Sequence, residues 1–168
     1  ITINEGATVQ INLSDYATIS SGNIDDYEIV TQPVHKTTNN GFVHNGGGQY
    51  TYTHNGSEAP SDSFTFKAKS GNDESNISTI TISITNVNDA PTIDDISATV
   101  DEGSSVEISP IAKDAENTEL TITAGTAQNG TVTKDATTGV FTYTHDGSDT
   151  TSDSFVLTAT ELANTQNN

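Results

Sequence analysis

Histidine and acidic side chains are the residues with most chemistry to offer in this chain of 168. It carries 23 Asp and Glu against 5 basic residues, all lysine, for a formal net charge of −18. His54 and His145 stand in matching settings, Thr53-His54-Asn55-Gly56-Ser57 and Thr144-His145-Asp146-Gly147-Ser148. A repeated histidine invites zinc binding or catalysis. Zinc asks for about four converging His, Cys or carboxylate ligands, and each setting supplies few. Each ring is expected instead to cap a turn beside Gly56 or Gly147 by hydrogen bonding. His35 and His44 occur once each and are expected in loops. Asp62 and Asp153 also recur, each ahead of a Ser-Phe pair. An Asx-type turn closing that loop is the expected role, with calcium contact, direct or through a neighbour, as the alternative.

Catalysis finds no support. Ser-Asp pairs are plentiful, but neither a Gly-x-Ser-x-Gly elbow nor a phosphate loop is present, and the acids show no pattern of a paired acid and base. No enzyme is expected. Threonine alternation, as in Thr51-Tyr52-Thr53 and Thr79-Ile80-Thr81, suggests the wet face of strands rather than an ice-binding array. An aromatic sugar platform is not expected, because tryptophan is absent. Cysteine is absent too, which excludes disulfides and thiol chemistry. So acidic a surface repels nucleic acid and anionic membranes, and the longest apolar runs are too short for a membrane-spanning helix. The same charge repels itself unless a cation is bound, and a divalent metal is the obvious candidate.

The elements that position these residues come in two copies. Glu5-Gly6-Ala7-Thr8-Val9-Gln10-Ile11 returns as Glu102-Gly103-Ser104-Ser105-Val106-Glu107-Ile108, and Tyr50 to Glu58 returns as Phe141 to Asp149. The spacing of equivalent residues falls from 97 (Glu5 to Glu102) to 91 (Tyr50 to Phe141), so loops differ while strands are kept. Apolar residues alternate with polar ones: Val9, Ile11 and Leu13; Tyr50 and Tyr52; Phe64 and Phe66; Ile80, Ile82 and Ile84. The second copy offers Val106 and Ile108, Leu120 and Ile122, Phe141 and Tyr143, Phe155 and Leu157. Period-two alternation gives a strand one buried and one wet face. Turn clusters such as Asn45-Gly46-Gly47-Gly48 and Gly71-Asn72-Asp73 separate the runs, and no stretch has helical periodicity. Short strands at this spacing, in modules of roughly 90 to 100 residues, predict an all-β chain of two tandem β-sandwiches.

The boundary falls after the strand Thr79 to Thr85, giving modules over 1–88 and 89–168. Pro91 cannot donate a ladder hydrogen bond and fixes its own φ, which stiffens the junction. A start at Ile1 without Met or a signal peptide suggests an excised or processed piece. The second module stops near the position that matches Asn76 and lacks a counterpart of Thr79 to Thr85. That is expected either from a cut within a longer array or from a strand supplied by another subunit.

The linker Asn86-Val87-Asn88-Asp89-Ala90-Pro91 resembles the cadherin junction pattern Asp-x-Asn-Asp-Asn-x-Pro, with Asn86 in place of the first Asp and Ala90 in place of an Asn. Phe141-Thr142-Tyr143-Thr144-His145-Asp146-Gly147-Ser148, followed by Asp153-Ser154-Phe155, resembles the core motif of chondroitin-sulfate-proteoglycan-type repeats. Val30-Thr31-Gln32-Pro33-Val34-His35 is similar to these families as well, with Lys36 where Gly is usual. The chain thus resembles bacterial cadherin-like and proteoglycan-type tandem repeats of large surface adhesins. The resemblance implies immunoglobulin/cadherin-like sandwiches that bind Ca2+ at module junctions. Carried over residue by residue, it implies Glu5 and Glu58 from the first module, Asn88 and Asp89 from the linker, and Asp114, Glu116 and Glu161 from the second. Six to eight oxygen ligands, several of them carboxylates, suit calcium, and extracellular modules of this kind bind it with a Kd on the order of 10⁻⁴–10⁻³ M.

The function expected on this footing is mechanical: spacer repeats in the stalk of a secreted or cell-surface bacterial adhesin, stiffened by calcium. A glycan- or protein-binding module, of an adhesin or of a secreted polysaccharide-degrading enzyme, is the alternative. The expected partners are neighbouring repeats and a subunit supplying a strand to the second repeat, with no nucleic acid and no membrane insertion. The expected location is extracellular.

Overall fold

A computed structural model of the chain describes residues 1–18 and 22–162. It divides into two compact units, Ile1–Val87 and Asn88–Asn168. Unit 1 contains β1 (Thr2–Asn4), β2 (Thr8–Asn12), β3 (Asp26–Thr31), β4 (Phe42–Gly46), β5 (Gln49–Thr53), β6 (Ser61–Ser70), β7 (Asp73–Glu74) and β8 (Ser78–Thr85). One sheet runs β1-β8-β6-β3 with β7 added to β6, and the other runs β2-β5-β4. β1 lies parallel to β8 in register Thr2↔Ser83, Ile3↔Ile84, Asn4↔Thr85. The other pairings are antiparallel.

The expected alternation builds the core. Ile11 and Leu13, Tyr50 and Tyr52, Phe64 and Phe66, and Ile80, Ile82 and Ile84 form one buried cluster drawn from both sheets. Burying each such side chain contributes about 1.5–3 kcal/mol. The intervening threonines face water and pair across strands, Thr8 with Thr53 at 2.9 Å and Thr31 with Thr65 at 2.7 Å. Between β4 and β5 the chain turns on three glycines of positive φ. At Gly48 (φ +79°) a Cβ would lie 2.5 Å from the Tyr27 ring, so only glycine fits.

Unit 2 repeats the smaller sheet as β10 (Ser105–Ile108), β14 (Phe141–His145) and β13 (Gly130–Lys134), in the order β10-β14-β13. The register is kept: Val9 opposes Tyr52 in unit 1, and Val106 opposes Tyr143 in unit 2. β12 (Leu120–Ala124) pairs antiparallel with β15 (Leu157–Glu161), as β3 does with β6. β9 (Thr92–Ile93) and β11 (Ala112–Lys113) form a short ribbon. The core is thinner: Ile108, Phe141 and Tyr143 are buried, and Val100, Ile122, Phe155 and Leu157 are only partly covered around them.

Four expectations are corrected. His44 is not in a loop but in β4, its ring stacked on Tyr50 at 4.7 Å. Leu13 keeps the buried alternation but lies outside β2, opening a 3-10 turn, Leu13–Tyr16, which the Asn12 side chain caps by accepting from Ser14 N–H. Phe155 precedes β15 rather than lying in it. Asp62 and Asp153 do more than close a local turn. The Asp62 carboxylate is buried and accepts from Val34 N (3.0 Å), His35 N (2.8 Å), Ser63 N (2.8 Å) and the Tyr52 hydroxyl (3.0 Å). Asp153 repeats this with Gln128 N, Asn129 N, Ser154 N and Tyr143. The end of the second copy, residues 163–168, lies outside the described residues.

Candidate metal-binding residues

Each unit presents its own acidic group beside the linker. In unit 1, Glu5 sits in the turn after β1 and Glu58 in the loop between β5 and β6. Carboxylate oxygens of the two come within 4.8 Å of each other. Both acids also hold the end of the unit. The Asn86 amide donates to Glu58, and Val87 N–H donates to Glu5 at 3.4 Å. Asn86 therefore belongs to this group although the cadherin pattern has Asp at its position.

In unit 2, the Asn88 amide donates to both oxygens of Glu161 at the end of β15, at 3.0 and 3.1 Å. Asp89 N–H donates to Glu116 at 3.1 Å. Asp114 and Glu116 lie in one turn, closed by Asn117 N–H to Asp114 carbonyl (3.3 Å) and by Thr118 N–H to the Asp114 carboxylate (2.7 Å). One oxygen of each, Asp114 Oδ2 and Glu116 Oε2, is enclosed without a hydrogen-bond partner. A desolvated carboxylate oxygen without a donor is costly, and a cation removes that cost. The donor set is all oxygen, which suits a hard ion such as calcium and not zinc or copper.

The two histidines behave otherwise. His54 is 1% exposed. Its Nδ1 accepts from Gly6 N (3.2 Å) and Gly56 N (3.3 Å), which puts the proton on Nε2. His145 Nδ1 accepts from Gly103 N (3.4 Å) and Gly147 N (3.1 Å). Both therefore cap a turn, as expected from the sequence, and each also ties that turn to the loop ahead of β2 or β10. Burial lowers the pKa of His54, opposed by the nearby Glu5 carboxylate.

The sandwich pattern and its repetition identify the family. The family model for the bacterial Ig domain matches residues 1–83 and again residues 88–167. The chain belongs to the bacterial Ig domain family. Two bacterial Ig domains in tandem form an all-β chain of immunoglobulin-like architecture. Bacterial Ig domains typically occur in surface proteins as structural or binding modules. Among solved structures, extracellular cadherin domains 1–4 of protocadherin gamma B7 are 15% identical, with a TM-score of 0.39 over 81% of this chain. This chain spans 40% of that one. The titin domains Z1Z2, solved in complex with telethonin, are 14% identical with a TM-score of 0.38, covering 95% of this chain and 89% of that one. No curated protein matches the chain.

Proposed function

We propose that these two bacterial Ig domains are spacer repeats of a secreted or cell-surface adhesin, and that calcium stiffens the chain where one repeat follows the other. The observation that carries this reading is local to the linker. Carboxylates of unit 1 hold Asn86 and Val87, and carboxylates of unit 2 hold Asn88 and Asp89. Four consecutive residues are thus each tied to an acid, in a chain that has two enclosed carboxylate oxygens in want of a positive partner. Glu5, Glu58, Asp89, Asp114, Glu116 and Glu161 would supply carboxylates, and the Asn88 amide, turned over, would supply its oxygen. The ion would contribute charge neutralisation and fixed coordination. The chain's own part is to bring the acids to the linker and to keep its backbone in place.

Thermal melts in millimolar calcium, in magnesium and in EDTA test the proposal. Ligand linkage to the folded state gives a melting temperature that rises with calcium and saturates. Asp114→Asn and Glu116→Gln remove that rise while leaving the melt in EDTA unchanged or improved. Three coincident curves overturn the calcium part and leave the tandem repeat architecture standing.

A further inference from the structure

Asparagine followed by glycine is a reactive pair, because a backbone N–H without a neighbouring Cβ can attack the side chain before it. The chain contains four: Asn40-Gly41, Asn45-Gly46, Asn55-Gly56 and Asn129-Gly130. The structure holds three of them. Gly56 N–H donates to His54 Nδ1 at 3.3 Å, and the Asn55 side-chain oxygen accepts from Ser57 N at 3.1 Å. Gly46 is paired with Gln49 across the β4–β5 hairpin, and the Asn45 amide donates to the Thr51 hydroxyl at 2.7 Å. Gly130 is paired with His145, while Asn129 donates its N–H to Asp153 at 2.8 Å and accepts from the Tyr143 hydroxyl at 3.1 Å. Asn40 is different. It is exposed and lies at φ +58°, a left-handed conformation that costs a non-glycine residue on the order of 1–3 kcal/mol. Neither its side chain nor Gly41 N–H has a hydrogen-bond partner among the described residues. Asn117 shares the positive φ, but Thr118 follows it, β-branched and with its N–H held by Asp114 at 2.7 Å.

We propose that Asn40 is a site of spontaneous, irreversible modification, converting to aspartate and isoaspartate while the protein stays folded. Gly41 N gives up its proton and bonds to the Asn40 Cγ. The bond from Cγ to the amide nitrogen breaks, and ammonia leaves with that proton. Water then opens the five-membered imide at one carbonyl or the other. The balance is one water in, one ammonia out and one carboxylate gained, with no oxidant or cofactor. Two features of the turn favour ring closure. Gly41 is buried, and an unmatched buried N–H is costly, whereas the imide nitrogen carries no hydrogen. The isoaspartate product adds a carbon to the main chain and relaxes the left-handed turn. The glycine itself is obligatory, because a Cβ there would lie 2.3 Å from the Thr37 carbonyl oxygen. Both ends of the loop are tied to β5, Thr37 N–H to Thr53 O at 3.0 Å and Thr53 N–H to Gly41 O at 2.9 Å. The change is therefore confined to the loop, and it leaves a covalent mark of age on a folded unit that is already acidic.

The test is ageing of the intact chain in mildly alkaline buffer at body temperature, beside a second sample in concentrated urea. Peptide mapping follows each asparagine, and enzymatic methylation marks isoaspartate. In urea the four pairs are unfolded and convert at similar rates. In the folded chain Asn40 is expected to stay within about threefold of its urea rate. Asn45, Asn55 and Asn129 are expected to fall at least about tenfold below theirs, because their hydrogen bonds must open first. A species lighter by one ammonia, mapped to Asn40-Gly41, is the expected imide. Asn40→Gly, which suits the positive φ, is expected to remove the early mass change and to leave the urea midpoint unchanged or raised. Conversion of Asn45, Asn55 or Asn129 as fast as Asn40 in the folded chain overturns the proposal. So does an Asn40 rate suppressed by folding as far as the other three.

Discussion

Asp62 and His54 are each the hub of several hydrogen bonds, and small changes there separate their roles. Asp62→Asn keeps the shape but offers one acceptor oxygen and turns an NH2 group toward backbone N–H donors. Hydrogen bonds to a charged group are worth about 1.5–3 kcal/mol each, so unit 1 is expected to lose about 3 kcal/mol, read as a lower urea midpoint. The Tyr52 phenol, raised in pKa by burial and then by its bond to Asp62, remains a donor throughout the accessible pH range. His54 Nε2 is buried without a partner, whereas His145 Nε2 meets the Thr150 hydroxyl at 3.1 Å. The repeat places Ala59 where unit 2 has Thr150. Ala59→Thr is expected to supply the missing partner and raise unit 1 stability by about 1 kcal/mol, measured in the same way. The histidine also gives the pH dependence a sign. Its folded pKa is below the ordinary 6.5, so the unfolded state takes up its proton first as pH falls. Unit 1 stability therefore falls below about pH 6.5 until the folded value is passed. A urea midpoint that drops between neutral and mildly acidic pH in the native chain, and drops less in His54→Gln, checks this.

At the scale of the element, β8 supplies three of the buried side chains of the unit 1 core. Ile82 is fully buried at its centre, and Ile82→Ala should cost unit 1 about 4 kcal/mol. Among the described residues, unit 2 has three buried apolar residues in its cluster where unit 1 has nine, and it is expected to unfold first. Hydrogen exchange reads this as faster exchange in β12 and β15 than in β3 and β6. The strands with alternating Ile, Phe or Tyr were legible in the sequence, because period-two burial needs only the residues themselves. What was not legible depended on partners. Whether residues 152–156 count as strand is set by the chain beside them, which the sequence Ser-Asp-Ser-Phe-Val does not contain. Asp62 looked like a local turn residue because its acceptors' donors, Val34 and His35, come from a loop nearly thirty residues earlier. His44 looked like loop because its stacking surface, Tyr50, lies across a hairpin. The acidic residues beside the linker were found only through resemblance to the junction pattern, since spacing alone does not say which loops share an end of a sandwich.

For the whole molecule, charge matters most after the cores. With 23 acids and 5 lysines, and with Lys67 and Lys69 already engaged by Glu74 and Glu28, little cationic charge is left to offset self-repulsion. Sodium chloride is expected to raise the melting temperature gradually by screening. A specific calcium site would add a saturating increment at constant ionic strength, so melts at matched ionic strength separate the two effects. One pairing has a further consequence. The chain enters unit 1 at β1 and leaves it at β8, and these strands lie side by side and parallel. Tension applied at the two ends of the unit therefore pulls neighbouring strands in opposite directions along their length. Their hydrogen bonds are loaded together in shear rather than opened one after another, so this unit yields to stretching only when the whole ladder breaks at once.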